Sequence, residues 1–149
     1  SVLSFVMNDK CAAGTGRFLE VIARSLELSI DEMATLSRQS KKKVEVSSMC
    51  TVFAESEVIS LVSQGVEVPD IVAAINRSIS RRLVGLVQRV GLNPPVVMTG
   101  GVAQNKGVVK AIEEALDITL LISSEPQITG ALGAAHMAWI RSSAVGGGK

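Results

Sequence analysis

Pro95-Val96-Val97-Met98-Thr99-Gly100-Gly101-Val102-Ala103-Gln104-Asn105 decides the fold class of this 149-residue chain. Pro95 to Thr99 is a short apolar run of the kind that forms a strand buried in a parallel sheet. Two glycines break it, and Val108 to Leu116 then carries helical spacing. Thr119-Leu120-Leu121-Ile122-Ser123 predicts a second strand, and Gly130-Ala131-Leu132-Gly133-Ala134-Ala135 opens a last helix through Trp139 and Ile140. Strand, glycine turn, helix, strand, helix implies two parallel strands joined by a right-handed crossover. The class is α/β with helices predominating. Open sheets of this class bind ligands beyond the C-terminal ends of their strands, where such a turn leads into a helix. The turn has neither the lysine of a P-loop nor the spacing of a dinucleotide fingerprint. Two readings of it stay open: a backbone cradle for a nucleotide, or a plain turn between layers.

Upstream, the chain reads as helices with two extended pieces. Val2, Leu3, Phe5, Val6 and Met7 form a short apolar strand candidate. Phe18, Leu19, Ile22, Leu26 and Leu28 follow helical spacing, and Ser29 with Glu32 makes a capping box for the next helix. Lys41-Lys42-Lys43 reads as a solvated face, and Val44 to Ser48 alternates like a brief strand. A helix follows Cys50, with Glu55 and Glu57 expected in its first turn, where negative charge suits the helix dipole. Pro69 and Asp70 start the longest helix, with an apolar stripe from Ile71 to Val90 and Arg77, Arg81, Arg82 and Arg89 opposite.

Composition narrows the function classes. Apolar residues are 47% and charged residues 19%, which predicts a folded domain. A formal charge of +1 and an aromatic content of 3% give no basis for binding nucleic acid. No apolar run reaches the roughly 20 residues that cross a bilayer. The expected protein is cytoplasmic. Residues 1–144 are expected to form the domain and residues 145–149 a flexible tail, and the start of the chain looks cut from something longer.

Two stretches hold the only cysteines: Asn8-Asp9-Lys10-Cys11-Ala12-Ala13-Gly14-Thr15-Gly16-Arg17-Phe18, and Cys50-Thr51-Val52-Phe53-Ala54-Glu55-Ser56-Glu57-Val58-Ile59. Cysteine is often a small core residue. Here, however, each sits in a loop just before a helix, whose N-terminus favours negative charge. Two thiolates are too few for a zinc or iron–sulfur site, which takes four ligands. A twofold dimer would supply four. Gly14-Thr15-Gly16 offers a second backbone nest, and Glu55 and Glu57 could touch a ribose or a magnesium ion. His136, the only histidine, has no ligand partner at a metal spacing.

Together with Met98-Thr99-Gly100-Gly101-Val102-Ala103-Gln104-Asn105, the two cysteine stretches resemble the activators of 2-hydroxyacyl-CoA dehydratases. These ATPases belong with acetate and sugar kinases, heat-shock cognate ATPases and actin, and are similar to the ATPase subunits of benzoyl-CoA reductase. The resemblance runs in order through nearly the whole chain, to Gly133-Ala134-Ala135. It implies the C-terminal half of an actin-like (ribonuclease H-like) ATPase, rich in helix. It implies a homodimer holding one [4Fe–4S] cluster through Cys11 and Cys50 of each subunit. It implies ATP or ADP bound with Mg2+, with Gly100, Gly101, Val102 and Asn105 in the adenosine motif and Gly14, Thr15, Gly16, Glu55 and Glu57 near the nucleotide. The expected partners are a dehydratase component and a reduced ferredoxin or flavodoxin as electron donor. The N-terminal phosphate motifs of the family have no counterpart in these 149 residues. Three rival expectations remain: the ATPase subunit of a benzoyl-CoA reductase, a non-catalytic iron–sulfur or nucleotide-binding dimerisation module, and a kinase-like domain with incidental cysteines.

Overall fold

The computed structural model describes residues 2–8, 16–47 and 50–146. Six α-helices and two strands follow one another: α1 (Gly16–Ser25), α2 (Ile30–Leu36), α3 (Thr51–Ser63), α4 (Val68–Val90), β1 (Val96–Met98), α5 (Lys106–Leu116), β2 (Leu120–Ile122) and α6 (Thr129–Gly146). Short 3-10 turns at Ser37–Gln39 and Gly101–Gln104 extend α2 and precede α5.

The two strands pair in parallel, with Val96 opposite Leu120, Val97 opposite Leu121 and Met98 opposite Ile122. As predicted, α5 forms the crossover between them. Asn105 starts α5 by accepting the Gly107 and Val108 N–H groups on its Oδ1 at 3.0 and 3.1 Å, which satisfies two of the orphan donors of a helix N-terminus. Ser29 starts α2 with the predicted capping box: its Oγ accepts the Glu32 N–H, and its own N–H donates to Glu32 Oε2 at 2.7 Å.

The core forms where α1, α2, α3 and α5 meet the first half of α4. Phe18, Leu19 and Ile22 of α1, Met33 of α2, Val58 of α3, Ile71, Ile75 and Ile79 of α4 and Val108 of α5 are all buried. Burial of each large aliphatic side chain is worth about 1.5–3 kcal/mol relative to exposure. Polar bonds fix the same contacts: Ser80 Oγ donates to Ala111 O at 2.7 Å and Ser25 Oγ to Glu55 Oε1 at 2.8 Å.

Three expectations need correction. Val2 to Met7 form no strand, and Val2, Leu3, Phe5 and Met7 are exposed, because no described segment offers them a ladder. Val44 to Ser47 also lack strand pairing; the Val44 and Val46 carbonyls accept from Arg77 and Arg81 instead. The apolar stripe of α4 is core only to about Ile79, and Val90 is exposed. The helix α6 runs from Thr129 to Gly146. No described helix is long and apolar enough to cross a membrane.

Candidate functional site

The glycine turn after β1 is shaped by Gly100. Its φ of 90° lies in the left-handed region, which a glycine adopts without the Cβ penalty. In that conformation its N–H donates to Pro126 O at 2.7 Å, tying the turn to the loop that precedes α6. Gln127, next along that loop, donates from Nε2 to Gln104 Oε1 at 3.2 Å.

These contacts form one wall of a cleft of about 410 Å³. Gly101, Val102, Gln104, Asn105 and Gln127 line that wall, and Gly16, Leu19, Glu20, Ile30 and Asp31 line the other. The cleft therefore lies between the start of α1, the start of α2 and the turn after the sheet, which is where an α/β fold holds a ligand. It combines apolar walls at Leu19, Ile30 and Val102 with carboxylates at Glu20 and Asp31 and amides at Gln104 and Gln127. Such a mixture can hold a flat apolar ring and accept bonds from hydroxyls. A larger cleft of about 540 Å³ lies beyond α5, lined by Arg38, Lys106, Lys110 and Ser124 among others. It includes none of the predicted glycines.

The predicted residues separate into three groups. Gly16, Gly101, Val102 and Asn105 meet at the smaller cleft, with Gly100 holding the turn. The buried side chain of Asn105 is committed to capping α5, while its Nδ2 has no partner among the described residues. Cys11, Gly14 and Thr15 lie outside the described residues. Glu55 and Glu57 form the third group. Because α3 starts at Thr51, they fall in its second turn, not its first, and the dipole role does not apply. Neither lines the cleft: Glu55 accepts from Ser25, and Glu57 accepts the Ser47 N–H at 3.0 Å.

Cys50 is exposed and unbridged, and its backbone provides the N-cap of α3, with the Ala54 N–H donating to its carbonyl at 2.9 Å. A thiol there faces the positive end of a thirteen-residue helix. Among the described residues, no three His, Cys, Asp or Glu side chains are grouped as a metal site. The donor chemistry of Cys50 fits one corner of a thiolate-bound cluster, with the remaining ligands supplied from elsewhere. His136 lies in the first half of α6 and stacks on Trp139, with ring centroids 6.2 Å apart.

Sequence reasoning missed Glu20, Asp31 and Gln127 as cleft residues. A signal existed for two of them: each lies just after a predicted helix start, on the opposite side from the apolar positions Phe18, Ile22 and Met33. Gln127 had none, since its place depends on the Gly100–Pro126 bond.

Residues 1–138 match the BadF/BadG/BcrA/BcrD ATPase family. The (R)-2-hydroxyglutaryl-CoA dehydratase activating ATPase of Acidaminococcus fermentans is 54% identical over 139 residues, covering 93% of this chain and 54% of that protein. The 2-hydroxyisocaproyl-CoA dehydratase activator of Clostridioides difficile is 49% identical over 138 residues, covering 93% of this chain and 52% of that protein. A solved structure, the activator of the 2-hydroxyisocaproyl-CoA dehydratase from Clostridium difficile with bound ADPNP, superposes with a TM-score of 0.92 at 47% identity. That match covers 97% of this chain and 54% of the solved one. The chain thus spans about half the length of the relatives it matches, and the expected helix-rich, actin-like α/β fold is borne out. A match over 138 of 149 residues settles the assignment: the chain belongs to the BadF/BadG/BcrA/BcrD ATPase family.

Proposed function

We propose that this chain is the adenosine-binding, cysteine-bearing half of an ATP-dependent activator that delivers single electrons to a 2-hydroxyacyl-CoA dehydratase. The observation that carries the reading is the 410 Å³ cleft, in a chain close in fold and sequence to an activator with bound ADPNP. Leu19, Ile30 and Val102 hold the adenine, and Glu20 and Asp31 accept bonds from the ribose hydroxyls. Gly100 and Gly101 bring the backbone close to the nucleotide, and Gly14, Thr15 and Gly16 face its phosphates with Mg2+. Glu55 and Glu57 support the frame by holding α1 and the Ser47 segment against α3.

Cys11 and Cys50 of two subunits supply four thiolates on the axis of a homodimer. These thiolates would hold a [4Fe–4S] cluster, which would supply one-electron storage. In support, Cys50 is exposed at a helix N-terminus and unbridged, as a ligand shared between subunits requires. A reduced ferredoxin or flavodoxin recharges the activator in the cytoplasm.

Anaerobic reconstitution tests the reading. The protein should take up about four iron atoms per two chains, and Cys50→Ala should abolish that uptake. It should also bind Mg-ATP, and Val102→Arg, which fills the cleft, should weaken binding by about tenfold or more. Full iron loading in Cys50→Ala overturns the cluster assignment, and unchanged affinity in Val102→Arg overturns the nucleotide site.

A further inference from the structure

The larger cleft, of about 540 Å³, has only Gln104 in common with the smaller one. Three cations line it: Arg38 from the 3-10 turn after α2, and Lys106 and Lys110 from the first two turns of α5. The side chains of Arg38 and Lys106 are exposed and form no ion pair or hydrogen bond among the described residues. Lys110 reaches Glu114 Oε1 at 3.6 Å, an exposed pair of the kind worth little in water. Glu113 is the one carboxylate among the described lining residues, and its Oε1 accepts the Leu120 N–H at 2.9 Å. Cations thus outnumber carboxylates three to one in the cleft, in a chain whose overall formal charge is only +1. Both bases of this cluster are fixed. Just beyond Arg38, Ser40, Lys41 and Lys42 are tied to Asp70 of α4. Lys106 follows Asn105, whose side chain caps α5 and takes up the first free N–H groups of that helix.

We propose that this cleft binds a phosphate dianion, either free or carried as a monoester on a small organic molecule. A phosphate needs charged donors that reach it from more than one element. The planar fork of Arg38 suits two of its oxygens, and the ammonium groups of Lys106 and Lys110 act as point charges beside it. Arg38 and Lys106 give up no existing partner on binding, so their attraction is not offset by a broken contact. Ser124, exposed on the loop after β2, adds a hydroxyl donor. The remaining lining is partly apolar, with Ala103, Val109, Ile122 and Pro126. The volume lies in the range of small-molecule sites and exceeds what a bare phosphate fills, which leaves room for an organic body against those side chains. The site is additional to the proposed activity: it uses neither the nucleotide cleft nor a thiolate.

Titration calorimetry at low ionic strength, with inorganic phosphate and with phenyl phosphate as probes, tests the site. Arg38→Gln and Lys106→Gln should each weaken binding by about tenfold or more, the scale of one lost charge-assisted hydrogen bond. Ser124→Glu, which places a like charge against the anion, should abolish it. Arg89→Gln removes the same charge from the exposed end of α4 and should change nothing. All four positions are exposed, so the variants should keep the thermal midpoint of the unsubstituted chain. Tighter binding of phenyl phosphate than of phosphate identifies a monoester site, and equal affinity identifies a site for the free anion. Three results overturn the proposal: binding of neither probe, unchanged affinity in both Arg38→Gln and Lys106→Gln, or an equal loss in Arg89→Gln, which would reduce the effect to overall charge. No nucleotide or iron enters the measurement, so its outcome is independent of the nucleotide and cluster assignments.

Discussion

At the scale of single residues, Gly107 and Asp70 show how much depends on groups distant in sequence. A Cβ on Gly107 would lie 2.5 Å from Asn76 Nδ2 and 2.6 Å from Ser37 Oγ, inside a buried polar cluster that also holds Asn105. Asn76 is itself buried, so close packing leaves its amide little room to turn away from an added methyl. Gly107→Ala should therefore destabilise by about 1–3 kcal/mol, read as a lower thermal midpoint, although alanine is the better helix former. Asp70 is buried and its Oδ1 accepts from Ser40 Oγ at 2.8 Å and from the Lys41 and Lys42 N–H groups at 2.7 and 2.9 Å. The Lys42 N–H is the largest cause holding its carboxyl below the ordinary aspartate value; burial opposes, and Ser40 and the Lys41 N–H assist. A lowered folded value means this stabilisation is complete above the ordinary pKa of 3.8 and is lost as pH falls through the folded value. Denaturant titrations from neutral to acid pH should show a flatter acid limb in Asp70→Asn than in the unsubstituted protein. The sequence marked Asp70 as a helix-start residue and the lysines as a solvated run. Their meeting was not legible, because the donors lie 28 to 30 residues away.

Elements with local causes were readable. The capping box at Ser29 and Glu32 and the proline-led start of α4 each involve residues within four positions, where side-chain chemistry dictates geometry. The end of α1 is equally local but less conspicuous. Glu27 takes φ 56°, the Leu28 N–H donates to Ala23 O at 2.8 Å and the Glu27 N–H to Arg24 O at 3.0 Å. That is a Schellman ending with glutamate where glycine is usual. Glu27→Gly should raise stability by about 0.5–1 kcal/mol, measured by denaturant unfolding, since glycine removes the left-handed penalty. Strands fared worse. The apolar run Val2–Met7 and the alternation from Val44 carry a preference for extended backbone, but a strand also needs a neighbour, and sequence pattern does not report one. The glycine turn of the site was legible for the opposite reason: β1, the turn and α5 are contiguous. The opposite wall of the cleft, Glu20 and Asp31, depends on how α1 and α2 pack against that turn.

Across the whole molecule, apolar side chains are distributed unevenly. The core is concentrated around α4, while Phe53 on α3 and Leu132, Met137, Trp139 and Ile140 on α6 stand in solvent. Surfaces of this kind are associated with contacts to other protein. Trp139 is the single tryptophan and is 66% exposed, so it reports directly on the α6 surface. The isolated chain should emit with the maximum of solvated tryptophan, quenched efficiently by acrylamide; a buried-type spectrum would show that α6 is covered in solution.

Residues 71–80 of α4 are almost wholly buried, while its last turns reach water. A single rod of 23 residues thus has a clamped end and a cantilevered end. Amide protons should record this as a gradient, with the slowest hydrogen exchange near Ile75 and progressively earlier opening toward Val90. Arg81 and Arg82, which donate to Val46 O and Asn8 Oδ1, sit at the fulcrum, so fraying of the outer turns can proceed without loosening those bonds.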